Sequence, residues 1–391
     1  EKGWLRASGD LKVDDQLVLS MHELLEIAEN DGDTGRFFQL KDGQFIALTE
    51  EFQRRLAELK AYSQPAPGKG DDLQINELAA YALEDLTANV QLEADKRWRD
   101  HIARLATAES LEAEVPASLR AELRPYQLDG FRWLAKLAQW GVGACLADDM
   151  GLGKTVQALA LLLHRAGDGP ALVIAPTSVA TNWMREAARF APTLNVQQFG
   201  PGDRAVTVAD LRAFDLIICT FGLMQIESEL LSGVSWHTVI IDEAQAIKNA
   251  STNRAKAALK LQADFRLITT GTPIENNLGE LQSLFSFINP GLLGSREKFH
   301  RRFADPIQKT GNPQTRRWLK KLISPFILRR LKHDVLEDLP PRTEVVLSIE
   351  MSEEETAFYE AIRQRAVANI ETQDSGAGEQ GMRLSLIHIS E

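Results

Sequence analysis

Short apolar runs that alternate with helical stretches constrain the fold of this chain more than any other feature. Five such runs, each four or five residues long, lie between residues 117 and 289, at 143–147, 171–175, 216–220, 238–241 and 265–269. Buried strands of this length between helices are typical of a parallel sheet covered by helices on both faces. We therefore predict an α/β fold that binds its ligand where the strands end.

The segment Asp-Asp-Met-Gly-Leu-Gly-Lys-Thr follows the first apolar run and opens a helix, the context of a phosphate-binding loop. Its glycines allow a tight turn whose amides face phosphates, and the helix N-terminus favours anions. We predict that Lys154 reaches the β- and γ-phosphates of ATP and that the Thr155 hydroxyl binds Mg²⁺. The same triplet also occurs in ordinary turns, so the motif needs support. The predicted nucleotide contacts here are Asp148, which stands in place of the usual first glycine, Asp149, Met150, Gly151, Leu152, Gly153, Lys154 and Thr155.

A pair of carboxylates, Asp242 and Glu243, ends the apolar strand at 238–241. Adjacent carboxylates after a buried strand are costly unless a cation or a substrate uses them. Asp242 is predicted to hold Mg²⁺, partly through water, and Glu243 to orient and deprotonate the attacking water. The alternative is a solvated turn, which the phosphate-binding loop upstream disfavours.

Two further segments flank these motifs. Residues 123–127, Leu-Arg-Pro-Tyr-Gln, precede an amphipathic helix, and the Gln127 carboxamide is predicted to donate to N7 and accept from N6 of adenine, with Arg124 beside it. The segment Thr270, Gly271, Thr272, Pro273 closes another strand and brings small hydroxyl groups towards the γ-phosphate. Taken alone, the first could be a polar surface residue and the second a turn.

The ordered motifs resemble the SWI/SNF-type ATPases of helicase superfamily two, which are DEAD/DEAH-like, in a bacterial form with a DEAQ box. The resemblance covers roughly residues 120–370 and consists of many motifs in the family's order. They are Leu-Arg-Pro-Tyr-Gln, the phosphate-binding loop, Ala-Pro-Thr-Ser with Asn182 and Trp183, Asp-Glu-Ala-Gln with Ile247, Lys248 and Asn249, Thr-Gly-Thr-Pro-Ile-Glu-Asn-Asn, Pro-Phe-Ile-Leu-Arg-Arg at 325–330, and Leu339, Pro340 and Pro341.

This resemblance implies the first RecA-like lobe of a motor that hydrolyses ATP to translocate along double-stranded DNA and remodels or displaces a DNA-bound protein, such as RNA polymerase. It also implies that residues 270–273 couple nucleotide state to movement and that Gln245 lies between the two sites, as a catalytic residue with Lys154, Asp242 and Glu243. Backbone amides, hydroxyls and a lysine suit phosphate contacts that do not depend on base sequence. The residues near nucleic acid would be Pro176, Thr177, Ser178, Thr220, Lys248 and Asn249.

The charge is unevenly distributed along the chain, whose net charge is −11. Residues 1–115 hold 24 acidic and 13 basic side chains, whereas residues 296–332 hold 12 Lys and Arg against Glu297 and Asp305. The family's basic helical protrusion maps to the second segment, where Lys320 and Lys321 would face duplex DNA. A solvated helical face explains the same charges.

Composition and motif position together predict five regions. They are a small α+β module at 1–63, a linker and helical connector at 64–116, the RecA-like lobe at 117–295, a basic helical protrusion and link at 296–383, and a sequence artefact at 384–391. We expect a second RecA-like lobe, with its arginine fingers, beyond the end of this chain. We therefore expect this chain alone to bind ATP weakly and to hydrolyse almost none.

Several classes of function are disfavoured by the composition. No apolar run is long enough for a membrane helix, and no signal pattern is present, so a cytoplasmic location is predicted. Two cysteines without paired histidine ligands predict no protein-held zinc. Two alternatives stay open, a strand-separating DNA or RNA helicase and a non-catalytic nucleotide-binding scaffold; a small-molecule kinase leaves residues 270–273 unexplained.

Overall fold

Short antiparallel strands form the N-terminal part of the chain. The computed structural model describes residues 4–7, 10–12, 18–20, 37–39, 45–66, 73–83, 96–271, 278–335 and 351–374. These strands form one three-stranded sheet, in the order β1–β7–β6, and two two-stranded sheets, β2–β3 and β4–β5. The strands are β1 (Trp4–Ala7), β2 (Asp10–Lys12), β3 (Val18–Ser20), β4 (Phe37–Gln39), β5 (Phe45–Ala47), β6 (Ser63–Pro65) and β7 (Leu73–Asn76).

The main sheet has seven parallel strands in the order β10–β11–β9–β12–β13–β8–β14. Five of its strands coincide with the apolar runs of the sequence, and the predicted α/β fold is confirmed. The other two, β10 and β14, were not predicted. The strands are β8 (Ala144–Leu146), β9 (Ala171–Ala175), β10 (Asn195–Gln198), β11 (Asp215–Thr220), β12 (Ser235–Asp242), β13 (Gln262–Thr269) and β14 (Ile327–Leu328).

The helices alternate with the strands along the chain, and in the described ranges none is long and apolar enough to cross a membrane. Two compact units divide the chain, 1–337 and 338–391, and the last helix belongs to the second. The helices are α1 (Glu50–Tyr62), α2 (Lys96–Glu109), α3 (Pro125–Trp140), α4 (Lys154–Arg165), α5 (Thr177–Phe190), α6 (Arg204–Ala209), α7 (Phe221–Ile226), α8 (Ser228–Ser232), α9 (Asn253–Lys260), α10 (Leu278–Ile288), α11 (Arg296–Phe299), α12 (Asp305–Thr310), α13 (Pro313–Ile323), α14 (Lys332–Val335) and α15 (Glu353–Asp374).

The register of the sheet aligns the ends of its central strands. Leu146 at the end of β8 is the partner of Thr269 at the end of β13, and Thr269 is the partner of Asp242 at the end of β12. Because neighbouring parallel strands lie about 4.8 Å apart, whatever follows these three residues meets at one edge of the sheet. The fold therefore places the loop after β8 next to the acidic pair after β12.

Helix α4 forms part of the core rather than the surface. Every residue from Gln157 to Leu163 is buried, as expected for a helix enclosed on all sides. Cys145 on β8 and Cys219 on β11 are buried as well, and burial raises the pKa of each thiol to about 12. Both cysteines are thus protonated, unreactive core residues at neutral pH.

A cluster of aromatic rings joins the N-terminal segment to the lobe. Tyr81, in the 3₁₀ helix 77–83, packs edge-on against Trp140 and Phe326, and its hydroxyl donates to the carbonyl oxygens of Lys321 at 2.7 Å and Leu322 at 2.5 Å. Phe326 also stacks on Trp140, with ring centroids 5.7 Å apart. Residues 77–83 therefore belong to the same hydrophobic core as the main sheet.

We expect Phe326→Ala to lower the free energy of unfolding by about 3–5 kcal/mol, because it leaves a cavity among these rings. Phe326 is fully buried, whereas Ile226 is 72% exposed, so Ile226→Ala is a control that should change stability by less than about 0.5 kcal/mol. Chemical denaturation followed by circular dichroism measures both. Equal losses in the two variants would contradict the role of the cluster.

Candidate nucleotide site

The loop after β8 has the backbone shape predicted for phosphate binding. Gly151 and Gly153 have φ values of 86° and 76°, in the left-handed region that favours glycine. A Cβ on Gly153 would also lie 2.4 Å from Nε2 of Gln127, so a larger residue there would displace the Gln127 carboxamide. Gly153 is followed at once by α4, whose first residue is Lys154. The loop amides and the N-terminus of the 12-residue helix α4 therefore face the same edge of the sheet.

The side chain of Lys154 folds back over this loop. Its ammonium donates to the carbonyl oxygens of Asp148 at 2.7 Å and Asp149 at 3.3 Å. Burial lowers the pKa of Lys154, while the carboxylates of Asp242 and Glu243, with those of Asp148 and Asp149, act in the opposite direction. Lys154 is thus electrostatically coupled to the acidic pair at the end of β12. Thr155 follows it, half-buried, in the first turn of α4.

Asp242 is held by three donors from three parts of the chain. Its Oδ1 accepts from the Thr269 hydroxyl at 2.5 Å and from the Glu243 amide at 2.9 Å, and its Oδ2 accepts from the indole of Trp183 at 2.8 Å. The carboxylate is 8% exposed. These three hydrogen bonds fix the position and direction of the Asp242 carboxylate at the end of β12.

Glu243 adopts a backbone conformation that is unusual for a residue other than glycine. Its φ of 52° and ψ of 56° lie in the left-handed region. Such conformations cost about 1–3 kcal/mol and persist only where the surroundings impose them. The Gln245 side chain donates to Oε2 of Glu243 at 2.8 Å, so Gln245 fixes the direction of this carboxylate.

Gln127 contacts the phosphate-binding loop directly. Its Nε2 donates to the Leu152 carbonyl at 3.1 Å, and its Oε1 accepts the Arg124 amide at 3.0 Å. The carboxamide therefore lies at the edge of the loop, while Arg124 is exposed at the start of α3.

The segment after β13 reaches the same loop. The Thr270 amide donates to the Leu146 carbonyl at 3.2 Å, and a Cβ on Gly271 would lie 3.2 Å from Cγ of Met150. A larger residue at position 271 would therefore press on the exposed side chain of Met150. Thr272 and Pro273, the other two residues of the predicted coupling segment, lie outside the described residues.

The residues predicted near nucleic acid fall into two groups. Thr177 and Ser178 are exposed at the start of α5, Thr220 caps α7, and Asn249 is exposed, all after strand ends on the side of the loop. Pro176 is the residue before α5. Lys248 is different, because it is buried and its ammonium lies 3.4 Å from Oε2 of Glu280. Its charge is directed into the protein, towards α10.

The two lysines of the basic protrusion also differ from each other. Lys320 is exposed on α13. Lys321 is half-buried, and its ammonium donates to Oε1 of Glu58 on α1 at 2.9 Å. A second lysine of the basic segment 296–332 also contacts the N-terminal part of the chain, because the Lys298 ammonium donates to Oε1 of Gln64 at 2.6 Å. The acidic N-terminal segment therefore binds two lysines of the basic segment.

Sequence reasoning did not assign roles to three residues that shape the site. Trp183 and Thr269 both bind Asp242, and Arg330 forms an ion pair with the buried carboxylate of Asp148 at 2.5 Å. Trp183 and the Arg329–Arg330 pair stood among the quoted motifs, but spacing alone does not reveal their partners. Thr269 carried no signal beyond its place at the end of an apolar run.

Comparison with known proteins supports the interpretation of these motifs. A family model for the SNF2-related domain matches residues 126–389. The chain is 38% identical over 364 residues to the putative ATP-dependent helicase/translocase YwqA of Bacillus subtilis (strain 168), which covers 90% of this chain and 37% of that protein. It is 37% identical over 280 residues to the ISWI chromatin-remodeling complex ATPase CHR17 of Arabidopsis thaliana, covering 69% of this chain and 26% of that protein.

A solved structure shows the same similarity. The Sulfolobus solfataricus SWI2/SNF2 ATPase core in complex with dsDNA has a TM-score of 0.54 and 40% sequence identity, covering 67% of this chain and 56% of that one. The sheet order, the glycine loop and the acidic strand end define a RecA-like lobe of the P-loop type. The chain belongs to the SNF2-related family, which confirms the resemblance noted in the sequence, although it spans well under half the length of these two curated relatives.

Trp183→Phe should lower the free energy of unfolding more than Trp236→Phe does. Both indoles are buried, but that of Trp183 donates to a carboxylate and that of Trp236 to the Leu231 carbonyl at 2.9 Å. Hydrogen bonds to charged groups contribute about 1.5–3 kcal/mol and neutral ones about 0.5–1.5 kcal/mol. Chemical denaturation of both variants provides the comparison, and an equal or larger loss in Trp236→Phe would show that the Asp242 contact is not the stronger one.

Proposed function

We propose that the edge formed by β8, β12 and β13 binds ATP with Mg²⁺ and carries the catalytic residues of a nucleic-acid-dependent ATPase. The observation that carries this proposal is the register that aligns Leu146, Thr269 and Asp242, because it brings the phosphate-binding loop beside a fixed carboxylate. Mg²⁺ is commonly held by one or two carboxylates together with substrate phosphates. Thr155 and Asp242 supply that arrangement here, partly through water.

Each catalytic residue has a role that its contacts support. Lys154, which now rests on two loop carbonyls, turns to the β- and γ-phosphates when they replace those oxygens. Glu243 orients and deprotonates the attacking water, with Gln245 directing its carboxylate. Gln127 reads adenine from the edge of the loop, next to Arg124. The segment Thr270–Pro273 couples the nucleotide state of the site to movement of the motor.

We further propose that this ATPase drives translocation along double-stranded DNA and remodels or displaces a DNA-bound protein, with RNA polymerase as one candidate, in the bacterial cytoplasm. Support comes from the family, from relatives named as translocase and chromatin-remodeling ATPase, and from a similar core solved with dsDNA. Groups near the strand ends suit contacts with phosphates. They are the exposed Thr177, Ser178 and Asn249 and the half-buried Pro176 and Thr220, whereas Lys248 would first have to leave Glu280.

A strand-separating helicase is the second candidate, since the Bacillus relative is named helicase/translocase. The two activities differ in their products. A translocase displaces a protein or a triplex strand from duplex DNA and leaves the duplex paired, whereas a helicase releases a labelled single strand. Parallel displacement and unwinding assays with ATP separate these outcomes.

Lys154→Ala should weaken nucleotide binding, whereas Glu243→Gln should leave it nearly unchanged. Loss of the Lys154 ammonium should weaken binding of ATP by about 100-fold, because it removes the cation that faces two phosphates. Glu243→Gln should keep the affinity within about twofold, because its carboxylate acts on the attacking water rather than on the bound phosphates. Equilibrium titration with a fluorescent ATP analogue measures both affinities. If Glu243→Gln loses affinity as Lys154→Ala does, the assignment of Glu243 is wrong.

Duplex binding should depend on the exposed face of α13. Arg316 and Lys320 are one helical turn apart and both exposed, so Arg316→Glu combined with Lys320→Glu should weaken DNA binding and lower the salt slope of log K by about two. Lys96→Glu with Arg104→Glu, on exposed positions of α2, changes the net charge equally and is the matched control. Fluorescence anisotropy over a salt series tests this, and identical slopes in both double variants would exclude α13 as the DNA-facing surface.

A further inference from the structure

Arg330 lies two residues after β14, where the chain leaves the main sheet, and each of its three guanidinium nitrogens donates a hydrogen bond. Nε donates to Oδ1 of Asp148 at 3.0 Å, Nη2 donates to Oδ2 of Asp148 at 2.5 Å and to Oε1 of Gln157 at 2.8 Å, and Nη1 donates to the Tyr126 carbonyl. The guanidinium also lies over the Tyr126 ring, 5.3 Å from its centroid. One side chain thus joins the start of α3, the phosphate-binding loop and α4.

The other member of this ion pair is the first residue of the phosphate-binding loop. The Asp148 carboxylate is fully buried and also accepts the Arg330 backbone amide at 3.1 Å. Both carboxylate oxygens accept hydrogen bonds from Arg330, and Oδ2 also accepts one from Gln157 at 3.4 Å. Asp148 was predicted among the nucleotide contacts; its side chain binds Arg330 and Gln157, and its carbonyl oxygen holds the Lys154 ammonium.

Further bonds connect the same two segments. The Asp149 amide donates to the Arg330 carbonyl at 3.0 Å, and the Lys332 amide donates to Oδ2 of Asp149 at 3.0 Å. The carbonyls of Asp148 and Asp149 are the ones that hold the Lys154 ammonium. Asp148 and Asp149, whose carbonyl oxygens hold the Lys154 ammonium, are therefore also the residues that are hydrogen-bonded to the segment 330–332.

A glycine inside α3 makes room for this arrangement. A Cβ on Gly130 would lie 1.9 Å from Oε1 of Gln157 and 2.8 Å from Nη2 of Arg330. Glycine in a helix interior costs about 1 kcal/mol relative to alanine, so its presence here is explained by the space that Gln157 and Arg330 need.

We propose that Arg330 is a positioning residue for the nucleotide site: through Asp148 it holds the phosphate-binding loop in its binding-competent shape, and it links occupancy of that loop to the chain that continues from β14. This inference rests on the proposed nucleotide site and adds to it a residue that touches no nucleotide itself. The guanidinium suits the role because its planar fork binds a carboxylate through two parallel bonds, which fixes direction as well as distance.

A purely structural ion pair is the competing explanation, and nucleotide affinity separates the two. Removing one partner alone would leave a buried charge and could unfold the chain. The test variant therefore combines Arg330→Gln with Asp148→Asn, which removes both charges and keeps hydrogen-bonding groups. Gly130→Ala is a second variant, which displaces Arg330 and Gln157 without altering any charge.

A matched control is present at the other end of α4. Arg165 is also a largely buried arginine, and it donates to the Thr238 hydroxyl at 3.1 Å and to the His237 carbonyl at 3.3 Å, far from the loop at the opposite edge of the sheet. Arg165→Gln should reduce stability because it removes hydrogen bonds from a largely buried side chain. It should leave nucleotide affinity unchanged.

The experiment titrates the intact chain with Mg²⁺ and a fluorescent ADP analogue and records the thermal unfolding midpoint of each variant. We expect the Kd to rise about tenfold or more in the double variant and in Gly130→Ala, and to stay within about twofold in Arg165→Gln. Folded double-variant and Gly130→Ala proteins with wild-type Kd values would overturn the positioning role. Absence of binding by the wild-type chain would instead refute the proposed nucleotide site, and the inference with it.

Discussion

The fully buried carboxylate of Asp148 and its pairing with Arg330 set the geometry on which the site depends. A buried charge without a partner costs several kcal/mol, so the segment after β14 must stay close to the loop after β8. That requirement brings β14 alongside β8 as the last strand of the sheet. The loop is consequently anchored at its first residue, ahead of the turn formed by Gly151 and Gly153.

A second buried carboxylate completes the arrangement at the neighbouring strand end. Asp242 accepts three hydrogen bonds, which hold its carboxylate in one orientation. Lys154 meanwhile rests on the loop carbonyls, within electrostatic reach of Asp242. The carboxylate of Asp242 is thus fixed by its own hydrogen bonds, whereas the proposed function requires the Lys154 ammonium to exchange the loop carbonyls for phosphate oxygens.

The main sheet and the central site motifs could be predicted from the sequence, because both depend on residues that are close together along the chain. Five apolar runs became β8, β9, β11, β12 and β13, and the glycine loop has the left-handed residues that its sequence requires. Strand β10 escaped prediction because its residues are half-exposed, and β14 because two residues show no periodicity. Both strands are defined by their neighbours in the sheet.

Side-chain partners that are distant in sequence could not be predicted. The Asp148–Arg330 bond spans 182 positions and the Asp242–Trp183 bond spans 59, so neither leaves a spacing signature. The same limitation applies to Lys248, whose motif suggested a phosphate contact but whose ammonium faces Glu280, and to Lys321, which pairs with Glu58. Charge in a sequence identifies a possible ligand contact, but only tertiary structure shows whether the charge is already neutralised.

The most direct test of the account is a crystal structure of the chain with Mg²⁺, ADP and beryllium fluoride. The account predicts that the Lys154 ammonium leaves the carbonyls of Asp148 and Asp149 for the β-phosphate and fluoride, that Mg²⁺ lies between Thr155 and Asp242, and that the Asp148–Arg330 pair is unchanged. Nucleotide bound at another surface, or bound at the loop with Lys154 still on those carbonyls, would contradict it.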